Sequence, residues 1–300
     1  MKKTDQKKSN YVERINRVLD AIYSDLTQSF RLQDLAIVAD LSPFHFHRVF
    51  QAIIGETPAD FIKRLRLERA LHLMAHGKRK SLTTIAIDCG FSCSSDFTRS
   101  FKQRYGVAPS HFDLEEWQSR HSNQISASTE ESPFRLERPL PRSNPDRFRV
   151  NIRELPARSV AYLRVDDPYH GDAVVRAAER LVKWAEERGL AEGQWLGYQF
   201  ENPNVTALED CHYHVAVEVE HRFQPQGEIG RYRFPSMLVA DVPMKGDIYR
   251  EIRLFRWLYG SWLPRSNYVP ADLPSFEAWN GKPFEHGLQH FELSVQLPIR

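Results

Sequence analysis

The sequence of 300 residues is poor in cysteine and has no long apolar run. Its cysteines, Cys89, Cys93 and Cys211, are odd in number and lack the paired spacing of a metal finger or a disulfide framework. No stretch approaches the ~18 apolar residues of a membrane helix, and the basic start runs into an amphipathic segment rather than a secretory signal. No phosphate-binding loop or nucleophile motif is present. These absences predict a cytoplasmic protein without membrane contact, metal, cofactor or catalytic residues.

Charge is distributed unevenly along the chain. Residues 1–120 hold 19 Lys and Arg against 14 Asp and Glu, a net charge of +5, whereas the remainder holds 22 against 25, a net charge of −3. A basic front part joined to a slightly acidic rear part indicates an anionic partner for the front part alone.

The apolar spacing divides the chain into three segments. Residues 1–120 repeat apolar side chains at helical intervals, which predicts an all-α domain. Residues 121–147 are rich in Ser, Pro and charge without periodicity and predict a linker. Residues 148–300 alternate strand and helix patterns, which predicts an α+β domain of two similar strand-helix-strand-strand halves. In its second helical pattern, the spacing predicts a buried stripe through Ile248, Ile252, Phe255, Tyr259 and Trp262.

One motif occurs twice in the front domain. "LAIVADLSPFHFHRVFQAIIGETPADF" and "IAIDCGFSCSSDFTRSFKQRYGVAPSHF" agree at seven positions once one residue is inserted in the turn. The paired phenylalanines four residues apart pack together on a preceding helix, and Gly55 and Gly106 suit a left-handed helix end. Gly90, or Asp40 in the first copy, suits the tight turn between two crossing helices. The sequence therefore predicts two helix-turn-helix units, at about 30–53 and 80–104.

The exposed face of each second helix carries side chains that can read bases. Arg can bridge the two major-groove acceptors of guanine, Asp can accept from cytosine, Ser and Thr reach bases or phosphates, and an aromatic ring can pack on a thymine methyl group. A solvated helix face is the alternative, although two copies in register disfavour it. The predicted DNA-binding residues are Phe44, His45, His47, Arg48, Ser94, Ser95, Asp96, Thr98 and Arg99. Basic residues of the intervening helix, Lys63, Arg64, Arg66, Arg69, Lys78, Arg79 and Lys80, are candidates for phosphate contacts or simple solvated charges.

The segment from Tyr11 to Trp117 resembles the AraC/XylS-type DNA-binding domain, most clearly in "GFSCSSDFTRSFKQRYGVAPSHF". The resemblance implies two helix-turn-helix units joined by a long helix. At ~1.5 Å per residue, about 18 residues span about 27 Å, which suits two adjacent major grooves about 34 Å apart. It also implies that Arg48 and Arg99 are the main base contacts and that RNA polymerase is a further partner.

The rear domain, in "WLPRSNYVPADLPSFEAW" and its last strand, resembles the GyrI-like effector-binding domain. That resemblance implies that Glu277 faces a cleft and contacts a cationic or amphipathic small molecule. A carboxylate among aromatic rings would add cation–π attraction of about 0.5–2 kcal/mol. Trp279, Trp195, Tyr162 and Tyr213 are the aromatic candidates for this site.

Several alternatives remain open from the sequence. Glu277 could instead pair with Arg253 or Arg265, or act as a general base, because some GyrI-like proteins hydrolyse reactive small molecules. The rear domain could also only sequester a toxic compound. Cys89 and Cys93 could form a redox pair, and His212, His214 and His221 could bind a metal, although no further ligands complete such a site.

Overall fold

The computed structural model describes residues 2–76, 80–114, 116–117, 144, 146–201, 203, 206, 208–225 and 227–300, with residues 2–10 as helix backbone only. The chain divides into two compact units, residues 1–119 with 224–231 and residues 120–223 with 232–300. The predicted linker, 121–147, lies almost entirely outside the described residues. Within the described part of the chain, no helix is long and apolar enough to cross a membrane.

The front unit is helical, as the apolar spacing predicts. Its helices are α1 (Lys2–Ser24), α2 (Leu32–Val38), α3 (Pro43–Ile54), α4 (Pro58–His76), α5 (Leu82–Asp88) and α6 (Ser94–Tyr105), followed by a 3₁₀ turn at Pro109–His111. The helix pairs α2–α3 and α5–α6 are the two helix-turn-helix units. In the first unit, the buried stripe of α1 packs with Phe46 and Phe50 of α3, whose rings lie 5.6 Å apart in an edge-to-face arrangement.

The two turns between the paired helices have the same hydrogen bonds. Leu41 N–H donates to Ala36 C=O at 2.9 Å, and Phe91 N–H donates to Ala86 C=O at 3.0 Å. One residue earlier, Asp40 and Gly90 adopt positive φ angles of 51° and 86°. This pattern is the Schellman motif, in which a left-handed residue satisfies the last carbonyl groups of a helix.

Gly90 has a second constraint that Asp40 does not share. A Cβ atom at Gly90 would lie 2.5 Å from Leu26 O and 2.9 Å from Thr27 Cα, both of them backbone atoms. The second turn therefore excludes every side chain by contact as well as by its φ angle. The first turn accommodates Asp40, whose carboxylate forms a 3.1 Å ion pair with Arg14 of α1.

Among the residues that the structure describes, the rear unit contains one eight-stranded sheet and two α-helices. Its strands are β1 (Asn151–Leu155), β2 (Arg158–Asp166), β3 (Trp195–Tyr198), β4 (His212–Val219), β5 (Gly230–Phe234), β6 (Met237–Gly246), β7 (Phe276–Trp279) and β8 (Phe291–Ile299). Its helices are α7 (Ala173–Glu186) and α8 (Ile248–Trp257), and a π-helical turn, Leu258–Trp262, extends α8. The strand order is β1-β6-β8-β7-β3-β4-β2-β5.

The strand order confirms a duplicated strand-helix-strand-strand unit. The first copy is β2-α7-β3-β4 and the second is β6-α8-β7-β8, and in each the two strands that follow the helix pair with each other. The strand that precedes each copy, β1 or β5, pairs with the first strand of the other copy. The two copies meet where β3 pairs with β7, which places Gly197 opposite Glu277.

The buried stripe of α8 differs from the predicted one. Ile248 is 40% exposed, and Glu251, Leu254 and Leu258 are buried instead. Apolar residues recur at helical spacing along two neighbouring stripes of this helix, and the structure buries the stripe that faces away from its three arginines. The correction matters because it brings a carboxyl group, Glu251, into the interior.

Candidate nucleic-acid interface and effector site

The first predicted reading helix, α3, presents its candidate residues at the surface. Phe44 is 74% exposed, which is unusual for so large an apolar side chain, and His45 and Arg48 are also exposed. The Arg48 guanidinium lies 5.7 Å from the centre of the Phe44 ring. The imidazole of His45 contacts the ring of Tyr11 at 5.3 Å, so His45 also joins α3 to α1. His47 is half-buried.

The second reading helix, α6, forms a shallow open depression with its outward face. Its lining residues are Ser94, Ser95, Thr98, Arg99, Lys102 and Gln103. Arg99 donates to Asp96 at 3.1 Å, and its side chain is 79% exposed. An ion pair this exposed contributes about 0–1 kcal/mol, so the guanidinium can exchange Asp96 for another acceptor.

Part of the predicted phosphate-contact set has structural roles instead. Arg64 is 2% exposed and pairs with Glu56 and Glu68. Arg66 donates to the carbonyl groups of Leu26 and Gln28, at 3.0 and 2.6 Å. Both guanidinium groups hold α4 in place rather than face outwards. For the other candidates, Lys63 is exposed, Lys80 pairs with Asp88, and Lys78 and Arg79 lie outside the described residues.

The second site lies in the rear unit, at the junction of the two sheet halves. Glu277 is half-buried on β7 and accepts a hydrogen bond from the hydroxyl of Tyr213, on β4. A Cβ atom at Gly197 would lie 1.7 Å from that hydroxyl, so only glycine on β3 lets the phenol reach Glu277. Burial, followed by the charge of Glu277, raises the pKa of Tyr213 well above its ordinary value, so Tyr213 keeps its proton and donates.

A second carboxyl group, Glu251, contacts Glu277 from α8. Glu251 is 3% exposed, and burial together with Glu277 raises its pKa well above the ordinary value. Burial also raises the pKa of Glu277, to about 7, although hydrogen bonds from Tyr213 and Glu251 oppose that increase. Tyr169, whose hydroxyl donates to Gln199 at 3.0 Å, is a further neighbour. Sequence reasoning missed Glu251, Gly197 and Tyr169; an acidic residue in helical register with Leu254 and Leu258 was the available signal for Glu251.

Comparison with known families agrees with both halves of this architecture. The family model described as "GyrI-like small molecule binding domain" matches residues 148–300, which is about half of the chain. The family model described as "Helix-turn-helix domain" matches residues 35–114. The chain belongs to the GyrI-like family. The resemblances to AraC-type and GyrI-like domains drawn from the sequence are thereby confirmed.

Each of three similar proteins matches one part of the chain. The probable transcriptional regulator LumQ of Photobacterium leiognathi is 36% identical over 112 residues, which is 37% of this chain and 44% of LumQ. A transcriptional regulator structure from Chromobacterium violaceum, with an AraC-type DNA-binding domain, has 23% identity and a TM-score of 0.30, covering 32% of this chain and 86% of that chain. The EcmrR C-terminal domain structure has 14% identity and a TM-score of 0.38, covering 51% and 98%. The chain spans less than half of the LumQ length.

The GyrI-like domain separates the predicted aromatic candidates onto two faces of its sheet. Trp195 and Trp279 lie opposite each other on β3 and β7, two residues from Gly197 and Glu277, and therefore share their face. Both are buried, and the indole N–H of Trp195 donates to Ala191 C=O at 3.0 Å. Tyr162 lies on the opposite face, where its ring contacts His214 at 5.1 Å. The structure thus groups Tyr213, Trp195 and Trp279 with Glu277 and leaves Tyr162 apart.

The sequence alternatives for this region also have defined positions. Arg253 pairs with Asp146 at 2.9 Å, and Arg265 donates to Ser261 C=O at 2.6 Å, so neither pairs with Glu277. His212 contacts Glu201 at 3.1 Å, while the buried His214 stacks on Tyr198 and its pKa falls to about 3 because burial disfavours the charged form. Within the described ranges, no three His, Cys, Asp or Glu side chains are grouped to hold a metal ion.

Proposed function

We propose that this protein is a sequence-specific DNA-binding transcriptional regulator whose GyrI-like domain binds a small cationic or amphipathic effector. The observation that carries the proposal is the duplicated turn, with matching hydrogen bonds, followed in each copy by a helix with an exposed arginine. DNA of the protein's own cell is the partner, so the proposal places the protein in the cytoplasm.

In this proposal α3 and α6 each enter a major groove. Arg48 and Arg99 are the main base contacts, because an exposed guanidinium can donate two hydrogen bonds to guanine. At ~1.5 Å per residue, the 19 residues of α4 span about 28 Å, which suits two successive grooves. Phe44, His45, His47, Ser94, Ser95 and Asp96 are further base contacts, and Thr98 contacts phosphate.

The effector would bind at the carboxylate of Glu277. Tyr213, Trp195 and Trp279 share its sheet face and supply aromatic surface, which attracts organic cations. An effector changes DNA affinity, or contact with RNA polymerase, only to the extent that it binds one state of the protein better than the other.

The DNA-reading part is tested by selecting bound sequences from a random duplex pool with the full-length protein. Arg48→Ala and Arg99→Ala should each relax base preference in a different part of the selected site, at about 1–3 kcal/mol per lost contact. Arg17→Ala is the matched control, because it removes one exposed positive charge from α1. Unchanged base preference in both test variants would reject these helices as readers.

A second function, hydrolysis of a reactive small molecule, is favoured by one observation. Glu277 receives hydrogen bonds from a phenol and a second carboxyl group, which are groups that can exchange protons with a substrate. Following a bound electrophile by mass spectrometry separates the two functions. Recovery of the unchanged compound supports an effector site, whereas conversion that stops in Glu277→Gln supports the hydrolase.

A further inference from the structure

This inference rests on the proposed effector site and concerns Glu251, which the sequence did not single out. Glu251 is held inside the GyrI-like domain by the packing of α8, with its neighbour Leu254 completely buried. Neither Glu251 nor Glu277 has an ion-pair partner among the residues that the structure describes. The site therefore contains two carboxyl groups in contact and no cation of its own.

The hydrogen bonds determine where the protons lie. Two carboxyl groups can be hydrogen-bonded only if one of them carries a proton, because two adjacent carboxylates repel each other. The single hydroxyl proton of Tyr213 goes to Oε2 of Glu277. Glu277 also accepts from Glu251. Glu277, with two donors, is therefore the carboxylate of the site, and Glu251 is its neutral acid partner.

One oxygen of Glu251 is left without a donor. Its Oε1 atom is buried and has no hydrogen-bond partner. Since Glu251 donates the proton on its other oxygen to Glu277, Oε1 is the carbonyl oxygen of a neutral carboxyl group. A buried carbonyl oxygen without a donor is unusual in folded proteins. The hydroxyl of Tyr169, a neighbour of Glu277, donates to Gln199 instead.

We infer that the effector is a singly charged cation with at least two N–H donors, such as a protonated amine, an amidinium or a guanidinium group. One N–H would bind the carboxylate of Glu277, and another would bind Oε1 of Glu251. A quaternary ammonium ion could neutralise Glu277 but would leave Oε1 unsatisfied. A compact dication would need two carboxylates to balance its charge, so Glu251 and Glu277 would also have to lose the proton that they share.

The test compares matched probes on the full-length protein by isothermal titration calorimetry at pH 8. Benzylammonium supplies charge and N–H donors, benzyltrimethylammonium supplies charge alone, and benzyl alcohol is neutral. The wild-type protein should bind benzylammonium at least about tenfold more tightly than benzyltrimethylammonium, since it gains a hydrogen bond from a charged donor. Benzyl alcohol should bind more weakly than either cation.

Two variants test whether Glu251 causes the preference for benzylammonium over benzyltrimethylammonium. Glu251→Gln keeps a carbonyl oxygen and can still donate to Glu277 through its amide N–H, so the preference should persist. Glu251→Met has similar length but no oxygen, and the two cations should then bind within about twofold of each other. The comparison of probes on the wild-type protein remains decisive if Glu251→Met fails to fold.

Three results would overturn the inference. These are tighter binding of benzyltrimethylammonium by the wild-type protein, an unchanged preference in Glu251→Met, or no binding of either cation. Selection of bound DNA sequences with the same protein preparations distinguishes failure of this inference from failure of the proposed regulator function. Retained sequence-specific DNA binding without cation binding would leave the regulator proposal standing with a different effector class.

Discussion

Substitution of Gly197 by alanine tests the geometry at the centre of the proposed effector site. The added Cβ atom would lie 1.7 Å from the hydroxyl oxygen of Tyr213 and 2.7 Å from Oε2 of Glu277. Real Cβ atoms do not approach neighbours so closely, so the phenol has to move and its hydrogen bond to Glu277 breaks. Forced packing of this kind costs about 1–3 kcal/mol, and a hydrogen bond to a charged group contributes about 1.5–3 kcal/mol. We expect a loss of about 3 kcal/mol in unfolding free energy and a loss of cation binding.

The measurement is urea unfolding of the full-length protein, followed by tryptophan fluorescence. Five of its six tryptophans lie at or beyond Trp184, so the signal reports mainly on the rear unit. Gly260→Ala is the matched control, because a Cβ atom at Gly260 meets nothing within 4 Å, and its unfolding free energy should stay within about 0.5 kcal/mol of the wild type.

A double variant identifies the atom responsible. In a Tyr213→Phe background the hydroxyl is absent, and the remaining close contacts of the new Cβ atom are the 2.7 Å approaches to the end of the ring and to Oε2 of Glu277. Gly197→Ala should therefore destabilise that background by about 1 kcal/mol less than it destabilises the wild type. Equal stability of Gly197→Ala and Gly260→Ala, with unchanged cation binding, would refute the placement of the Tyr213 hydroxyl over Gly197.

Three further predictions concern the turn, an exposed thiol and pH. Gly90→Ala should destabilise the front unit by about 3 kcal/mol. Gly106 has a similar φ angle but open space around it, so Gly106→Ala should cost only about 1–2 kcal/mol. Amide hydrogen exchange of α5 and α6 measures the difference between the two variants. The backbone N–H of Asp96 lowers the pKa of the exposed Cys93 thiol, so iodoacetamide should modify Cys93 before the buried cysteines, and operator DNA should slow that reaction. Because the pKa of Glu277 is raised to about 7, affinity for benzyltrimethylammonium should increase by up to about tenfold per unit from pH 5 to 7 and level off above it.

Each of these three has a result that contradicts it. Equal amide exchange rates in the two glycine variants would show that the contact between Gly90 and Leu26 does not cause an additional loss of stability. If DNA does not change the rate of Cys93 modification, the start of α6 does not lie against the DNA. For the pH series, the charge of the probe is constant, and the carboxylate is lost as pH falls through the pKa of Glu277. An affinity that is flat from pH 5 to 7, or the same slope in Glu277→Gln, would show that another group titrates.

The helix-turn-helix units were predictable because their determinants are local. The hydrogen bond from Leu41 to Ala36 spans five residues, and so does its counterpart from Phe91 to Ala86. A left-handed residue, a buried phenylalanine pair and a helix-ending glycine therefore appear in the sequence at fixed spacing. The exposure of Arg48 and Arg99 was predictable for the same reason, since helical periodicity assigns them to the outward face, and their contact with bases stays a prediction.

The proposed effector site was only partly predictable because its members are distant in sequence. Glu277 and Tyr213 are 64 residues apart, and their contact depends on the pairing of β7 with β3 and of β3 with β4. Tyr162 was among the aromatic candidates, but the strand registers put it on the other face of the sheet. Glu251 was missed because apolar residues of α8 also recur at helical spacing along a neighbouring stripe, and that stripe was predicted to be buried.

The duplicated halves of the GyrI-like domain contribute different chemistry to one site. The first half supplies Gly197, which leaves room, and Tyr213, which donates a hydrogen bond to Glu277. The second half supplies both carboxyl groups, Glu251 from its helix and Glu277 from the strand that follows. The shared architecture brings β3 and β7 together, but the site depends on the positions at which the two copies differ. The features that the two copies share therefore define the sheet. The residues that would select an effector are those that differ between the copies at the β3–β7 junction.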